Sequence, residues 1–187
     1  MRFLIRLATD KEHRPKNVME KQREIAARLQ KGKVGNLRIS NKALEFDLFV
    51  DNDDDLDTAE KTLSKSSKLL TVKRLDIPPA VPDRLETIRE AMSLFNDERF
   101  WECHEILEGL WHALKGEEKI LVQGIILVCA ALVHFQKNET NTAISMLKRY
   151  QSKLRWHDRF YEGIDLGRLR RGVSEMIVES RQKAFQI

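Results

Sequence analysis

His104, Glu105 and Glu108 stand at i, i+1 and i+4 within Phe100-Trp101-Glu102-Cys103-His104-Glu105-Ile106-Leu107-Glu108-Gly109-Leu110-Trp111. An imidazole and carboxylates at that spacing can share one cation, or divide acid and base work on a bound substrate. On a helix turning about 100° per residue, Phe100, His104, Leu107, Trp111 and Leu114 form one apolar stripe, and His104 lies inside it. Glu108 is one turn beyond His104 and about 40° round from it. A histidine and a carboxylate drawn out of water must satisfy each other, a ligand or a metal. The pattern is a His-Glu-x-x-Glu (HExxE) variant of the His-Glu-x-x-His zinc helix, with Glu108 in place of the second histidine. Such pairs also recur by chance. The spacing therefore leaves two readings open, a ligand or metal site and a buried polar network that fixes helix register.

The facing groups must come from the next helix. Only about two residues around Gly116 separate the two helical patterns, so they form an antiparallel hairpin. Level pairing about residues 116–117 sets His104 opposite residue 129 and Glu108 opposite residue 125. Gln123 and His134 are 11 residues apart, close to three turns, and share a face. Gln123 then falls near Glu108 and Trp111, and His134 near Trp101 and His104. This makes His104, Glu105, Glu108 and His134 the candidate catalytic groups, with Glu105 as base. His104, Glu108 and His134 are the candidate metal ligands, and Trp101, Trp111 and Gln123 would line a small-molecule ligand. A divalent metal is the cofactor such donors suggest. His112 is an alternative ligand but belongs on the exposed side beside Lys115. The hairpin also brings Cys103 and Cys129 to nearly the same level. They read as small buried hydrophobes, although a disulfide between them is geometrically conceivable.

The elements that position these groups occupy the second half of an α+β chain. Residues 1–77 read as β-α-β-β-α-β, the order of a ferredoxin-like split sandwich. Phe3, Ile5 and Leu7 alternate in a first strand. Pro15 opens a helix that stops at Gly32. Leu37–Ile39 and Leu44–Val50 make a hairpin around Asn41-Lys42. The acidic run from Asp51 to Asp55 suits a helix N-terminus better than a calcium loop, because the sixth position is Leu56 and the twelfth Thr62. Leu69–Ile77 is the last strand. Pro78-Pro79-Ala80-Val81-Pro82 is a stiff linker. Residues 83–187 then form an all-α bundle of about five helices, over roughly 83–97, 99–115, 118–137, 140–156 and 166–184.

Charge is unevenly placed on a chain of net charge +4. Residues 83–118 hold 4 basic against 10 acidic residues, while residues 137–187 hold 11 against 6. The basic C-terminal set around Trp156 could meet nucleic acid, or simply face the acidic helix. The sheet is a poor RNA platform. Glu45 and Asp47 fall where stacking aromatics would be needed, and they should pair with Arg2 and Arg6 on the first strand. The start of the chain has no signal-peptide pattern and no apolar run approaches membrane length, so the expectation is a cytoplasmic protein with no membrane partner. A small-molecule ligand and a homo-oligomer remain open as partners. No nucleophile signature or glycine-rich phosphate loop is present to name a reaction.

Leu94-Phe95-Asn96, the Phe100–Trp111 motif, Gly116-x-x-Lys119-x-x-x-Gln123-Gly124, Ala130-Ala131-x-x-His134, and Ala143 with Leu147 together resemble a small prokaryotic family, the domain of unknown function 309. Tyr161-x-Gly163-Ile164-Asp165-Leu166 is similar to its weaker C-terminal signature. The resemblance runs over about residues 83–170. It implies a compact helical bundle with the His-Glu cluster at its heart, and no established activity. Where the family has Arg-Gly-Asn, this chain has Lys137-Asn138-Glu139, and Asn138 can take the left-handed cap role of the glycine. Two functions are carried forward: a ligand or metal site that could be hydrolytic, and a non-enzymatic interaction module whose buried His/Glu cluster is structural.

Overall fold

A computed structural model of the chain describes residues 1–9, 17–76, 83–153 and 159–187. Contacts divide the chain into two units, Met1–Pro79 and Ala80–Ile187. The proline-rich run 78–82 and the Pro15 helix start lie outside the described residues.

The first unit contains β1 (Arg2–Ala8), α1 (Val18–Arg28), β2 (Lys33–Ile39), β3 (Ala43–Phe49), α2 (Asp53–Ser64) and β4 (Leu69–Arg74). The strands pair antiparallel in the order β2-β3-β1-β4. That is the ferredoxin-like arrangement. Alternation sends Phe3, Ile5, Leu7, Leu44, Phe46 and Leu48 to one face, where they pack with Val18, Ile25, Ala59 and Leu63 of the two helices. Both helices start on asparagine caps. The Asn17 side chain accepts from the Met19 and Glu20 amides, and that of Asn52 from Asp55. The acidic run thus caps α2 and sits on its first turn. Gly32 takes φ +93°, and a Cβ there would stand 2.9 Å from the Phe49 carbonyl oxygen.

The other strand positions carry charge. Register sets Arg6 opposite Glu45, and Arg2 Nη2 reaches Asp47 Oδ2 at 2.7 Å while Arg6 Nε lies 3.0 Å from Glu45 Oε1. Arg38 adds a second cation, 3.3 Å from Asp47 Oδ1, and Asn36 Nδ2 donates to Asp47 Oδ2 at 2.7 Å. Glu45 and Asp47 are buried, so the acid–base pairing expected across the strands is present.

The second unit contains α3 (Arg84–Asn96), α4 (Phe100–Ala113), α5 (Gly116–Gln136), α6 (Thr140–Lys153), the two-stranded ribbon β5 (Phe160–Tyr161) and β6 (Ile164–Asp165), and α7 (Leu166–Glu179). Consecutive helices pack as neighbours from α3 through α7. Tight left-handed residues make this possible: Glu98, Gly116 and Asn138 have φ of 59°, 58° and 64° at the three turns. Asn138 thus takes the cap role expected of it. The β5–β6 ribbon was not legible as strands. It turns on Glu162 and Gly163, both at positive φ, the pairing a two-residue hairpin loop needs. Helix α7 stops at Glu179 rather than 184, because Ser180 adopts a left-handed cap at φ 50°. Beyond it Phe185 lies against Gly172 and Phe95, and the Ile187 amide donates to Asn96 Oδ1 at 3.0 Å.

Helix α5 is the core of this unit. By length and composition it could cross a membrane, and half of its most apolar window is buried inside the protein. An apolar core helix meets the same criterion as a membrane span. Uninterrupted apolar runs within α5 stay short, as expected, because Gln123 and His134 break them, although the average over the helix is high.

Candidate functional site

Helix α4 places the His-Glu motif with its apolar neighbours inward. Phe100, Cys103 and Leu107 are buried, and Leu114 follows at the helix end. His104 lies at the margin of that stripe, with its side chain 25% exposed. Its Nδ1 is buried and makes no hydrogen bond among the described residues, standing 3.4 Å from Glu105 Oε1 and 3.9 Å from Glu108 Oε2. One ligand atom from each of these three residues falls within 4.8 Å of the others. Glu105 and Glu108 are 49% and 52% exposed, so both carboxylates can swing toward a common centre at little cost. The third carboxylate of the motif, Glu102, is buried instead and held by Arg99 through two contacts of 2.7 and 2.8 Å.

The sequence-derived site is partly assembled. His134, proposed as a third ligand and acid–base group, stands outside the His104 group and pairs through Nδ1 with Glu139. Hairpin pairing predicted the level of His134 on α5 but not its partner. The Asn138 turn brings Glu139 back over the end of α5, where its amide also donates to the His134 carbonyl at 2.8 Å. Burial acts to raise the Glu139 carboxyl, but His134 and Lys137 outweigh it and hold it below the usual range. Glu139 was passed over in the sequence because the residues 137–139 read only as a departure from a family pattern.

Trp111 is half-buried, its ring edge-on to His112 and its face 4.1 Å below the Lys119 ammonium. Its Nε1 is buried without a hydrogen-bond partner among the described residues. Trp101 and Gln123 are half-buried on α4 and α5, and His112 is exposed as expected. Lys119 was missed, although its place three residues into α5 puts it close to Trp111 across the Gly116 turn. Trp156 and Arg155 of the basic set lie outside the described residues. Among those described, Arg168 is engaged by Asp165.

Residues 88–146, from α3 into α6, match the family described as Domain of unknown function (DUF309). Over these helices, about a third of the chain, the sequence is similar to the DUF309 family. An "Uncharacterized protein" of Aquifex aeolicus (strain VF5) is 29% identical over 113 residues, 60% of this chain. The chain spans about a third of that relative's length, 33%. The DUF309 segment contains all seven candidate residues, from Trp101 to His134.

Proposed function

We propose that the DUF309 helices of this protein bind a divalent metal ion at His104, Glu105 and Glu108, and through it a small polar ligand. The reading is carried by the three converging ligand atoms, one of them the buried His104 Nδ1, which has no hydrogen bond among the described residues. One nitrogen and two carboxylate oxygens suit zinc or another divalent transition ion. Three protein ligands leave coordination positions for water and substrate, the arrangement that supports hydrolysis. Glu105 would serve as base when a ligand displaces it from the ion. Trp111 Nε1 and Gln123 would supply the polar contacts that position the ligand.

The competing reading is a polar cluster that only specifies the fold. The exposure of Glu105 and Glu108 supports it less, since water satisfies both carboxylates without an internal partner. The test is calorimetric titration of the purified full chain with zinc and with manganese, beside His104→Ala and Glu108→Gln. One ion per chain should bind the wild type, and each variant should weaken binding at least tenfold, about 1.4 kcal/mol. No saturable binding at submillimolar metal, or equal affinity in the variants, would overturn the proposal.

A further inference from the structure

Cys103 on α4 and Cys129 on α5 are both free and fully buried, and their sulfurs lie 3.4 Å apart. A disulfide requires about 2.05 Å, so small side-chain rotations close the gap. We propose that this pair is an oxidation site, converted by hydrogen peroxide or a peroxide of similar size into a disulfide that ties α4 to α5.

The two sulfurs are not equivalent. The Cys129 thiol donates its hydrogen bond to Cys103 Sγ, so its own proton is the one engaged between the two sulfurs. That hydrogen bond and burial together push the Cys129 thiol well above its ordinary range. Cys103 is therefore the first sulfur to react. Its thiolate attacks one peroxide oxygen, forming S–O and breaking O–O, and the hydroxide released takes up the thiol proton as water. The Cys129 sulfur then attacks the Cys103 sulfur, forming S–S and breaking S–O. The second hydroxide leaves as water with the Cys129 proton. Two thiols are oxidised and one peroxide is reduced to two waters. Full burial selects the oxidant by size: a water-sized peroxide can enter during local opening, whereas a bulky disulfide reagent is excluded.

The experiment treats the full-length protein with hydrogen peroxide or with oxidised glutathione and reads intact mass, peptide map and melting temperature. Peroxide should remove two hydrogens, give a cross-linked peptide containing Cys103 and Cys129, and be reversed by dithiothreitol. Glutathione disulfide should react far more slowly. The closed loop spans 26 residues, so the cross-link should raise the melting temperature on the order of 10 °C. Cys129→Ser should accumulate a sulfenic acid on Cys103 that dimedone traps, and Cys103→Ser should yield none on Cys129. Either result would overturn the proposal in the wild type alone, whatever the variants do: oxygen added to one cysteine without a cross-link, or thiols unchanged under peroxide that oxidises a free cysteine. The inference is independent of metal binding at His104.

Discussion

Single residues at the edge of the bundle carry its pH dependence. Glu118 of α5 accepts from the Tyr161 hydroxyl at 2.7 Å and pairs with Arg84, which also meets Glu162 at 2.9 Å. The Tyr161 hydroxyl first, and then Arg84, hold the Glu118 carboxyl below the ordinary carboxylate range. A depressed carboxyl stabilises the fold above its unfolded value of about 4.3, and that contribution is lost as pH falls through the lower folded value. Stability of Glu118→Gln should therefore fall short of wild type at neutral pH and converge with it in acid. Urea unfolding between neutral pH and the acid limb would show this, and parallel curves would refute it. Leu107, one turn after His104 and only 1% exposed, makes the contrasting prediction. Leu107→Ala should cost about 2–5 kcal/mol by cavity formation, at any pH, in equilibrium unfolding.

At the scale of elements, the C-terminal segment packs on α7 where a small residue permits it. Gly172 of α7 is one such place, since a Cβ there would stand 2.6 Å from the Phe185 ring. The obstacle is a side chain on a terminal segment rather than backbone, so the segment should yield. Gly172→Ala should displace Phe185 from its edge-to-face contact with Phe95, 5.4 Å away, and free the Ile187 amide from Asn96. The helix itself gains about 1 kcal/mol from losing a glycine, which offsets much of the lost packing. Global stability should change little while amide exchange at Ile187 accelerates. Retained protection there would show that α7 shifts instead.

At the scale of the whole molecule, the apolar residues form two clusters with no shared member. One runs from Phe3 to Leu63 and the other from Ile88 to Ile187. Each unit thus has the core a separately folding domain needs. Residues 83–187 expressed alone should give a cooperatively melting helical protein by circular dichroism. A chain that remains unfolded would show that the bundle requires the first unit.

The sequence by itself determined the element order apart from the β5–β6 ribbon, because period-2 and period-3.6 patterns are local and the breaks at Gly32, Gly116 and Asn138 are chemically marked. It also determined that Arg2 and Arg6 meet Asp47 and Glu45, since strand alternation places them on one face. The facing of Cys103 and Cys129 followed from the shortness of the Gly116 turn, which leaves the antiparallel register little freedom. Within the site, the nearness of Glu105 and Glu108 to His104 was legible for the same reason, since three residues inside one helical turn and a half have fixed directions, but the third ligand expected was His134 rather than Glu105. What the tertiary structure decided was the fate of groups whose partners lie across turns. Lys119 over Trp111, and His134 turned to Glu139 rather than joining His104, depend on how a left-handed residue re-aims the chain. Exposure was also a tertiary outcome. Glu108 lies about 40° from the buried stripe on the helix, and only the packing of neighbouring helices set which side of that margin meets water.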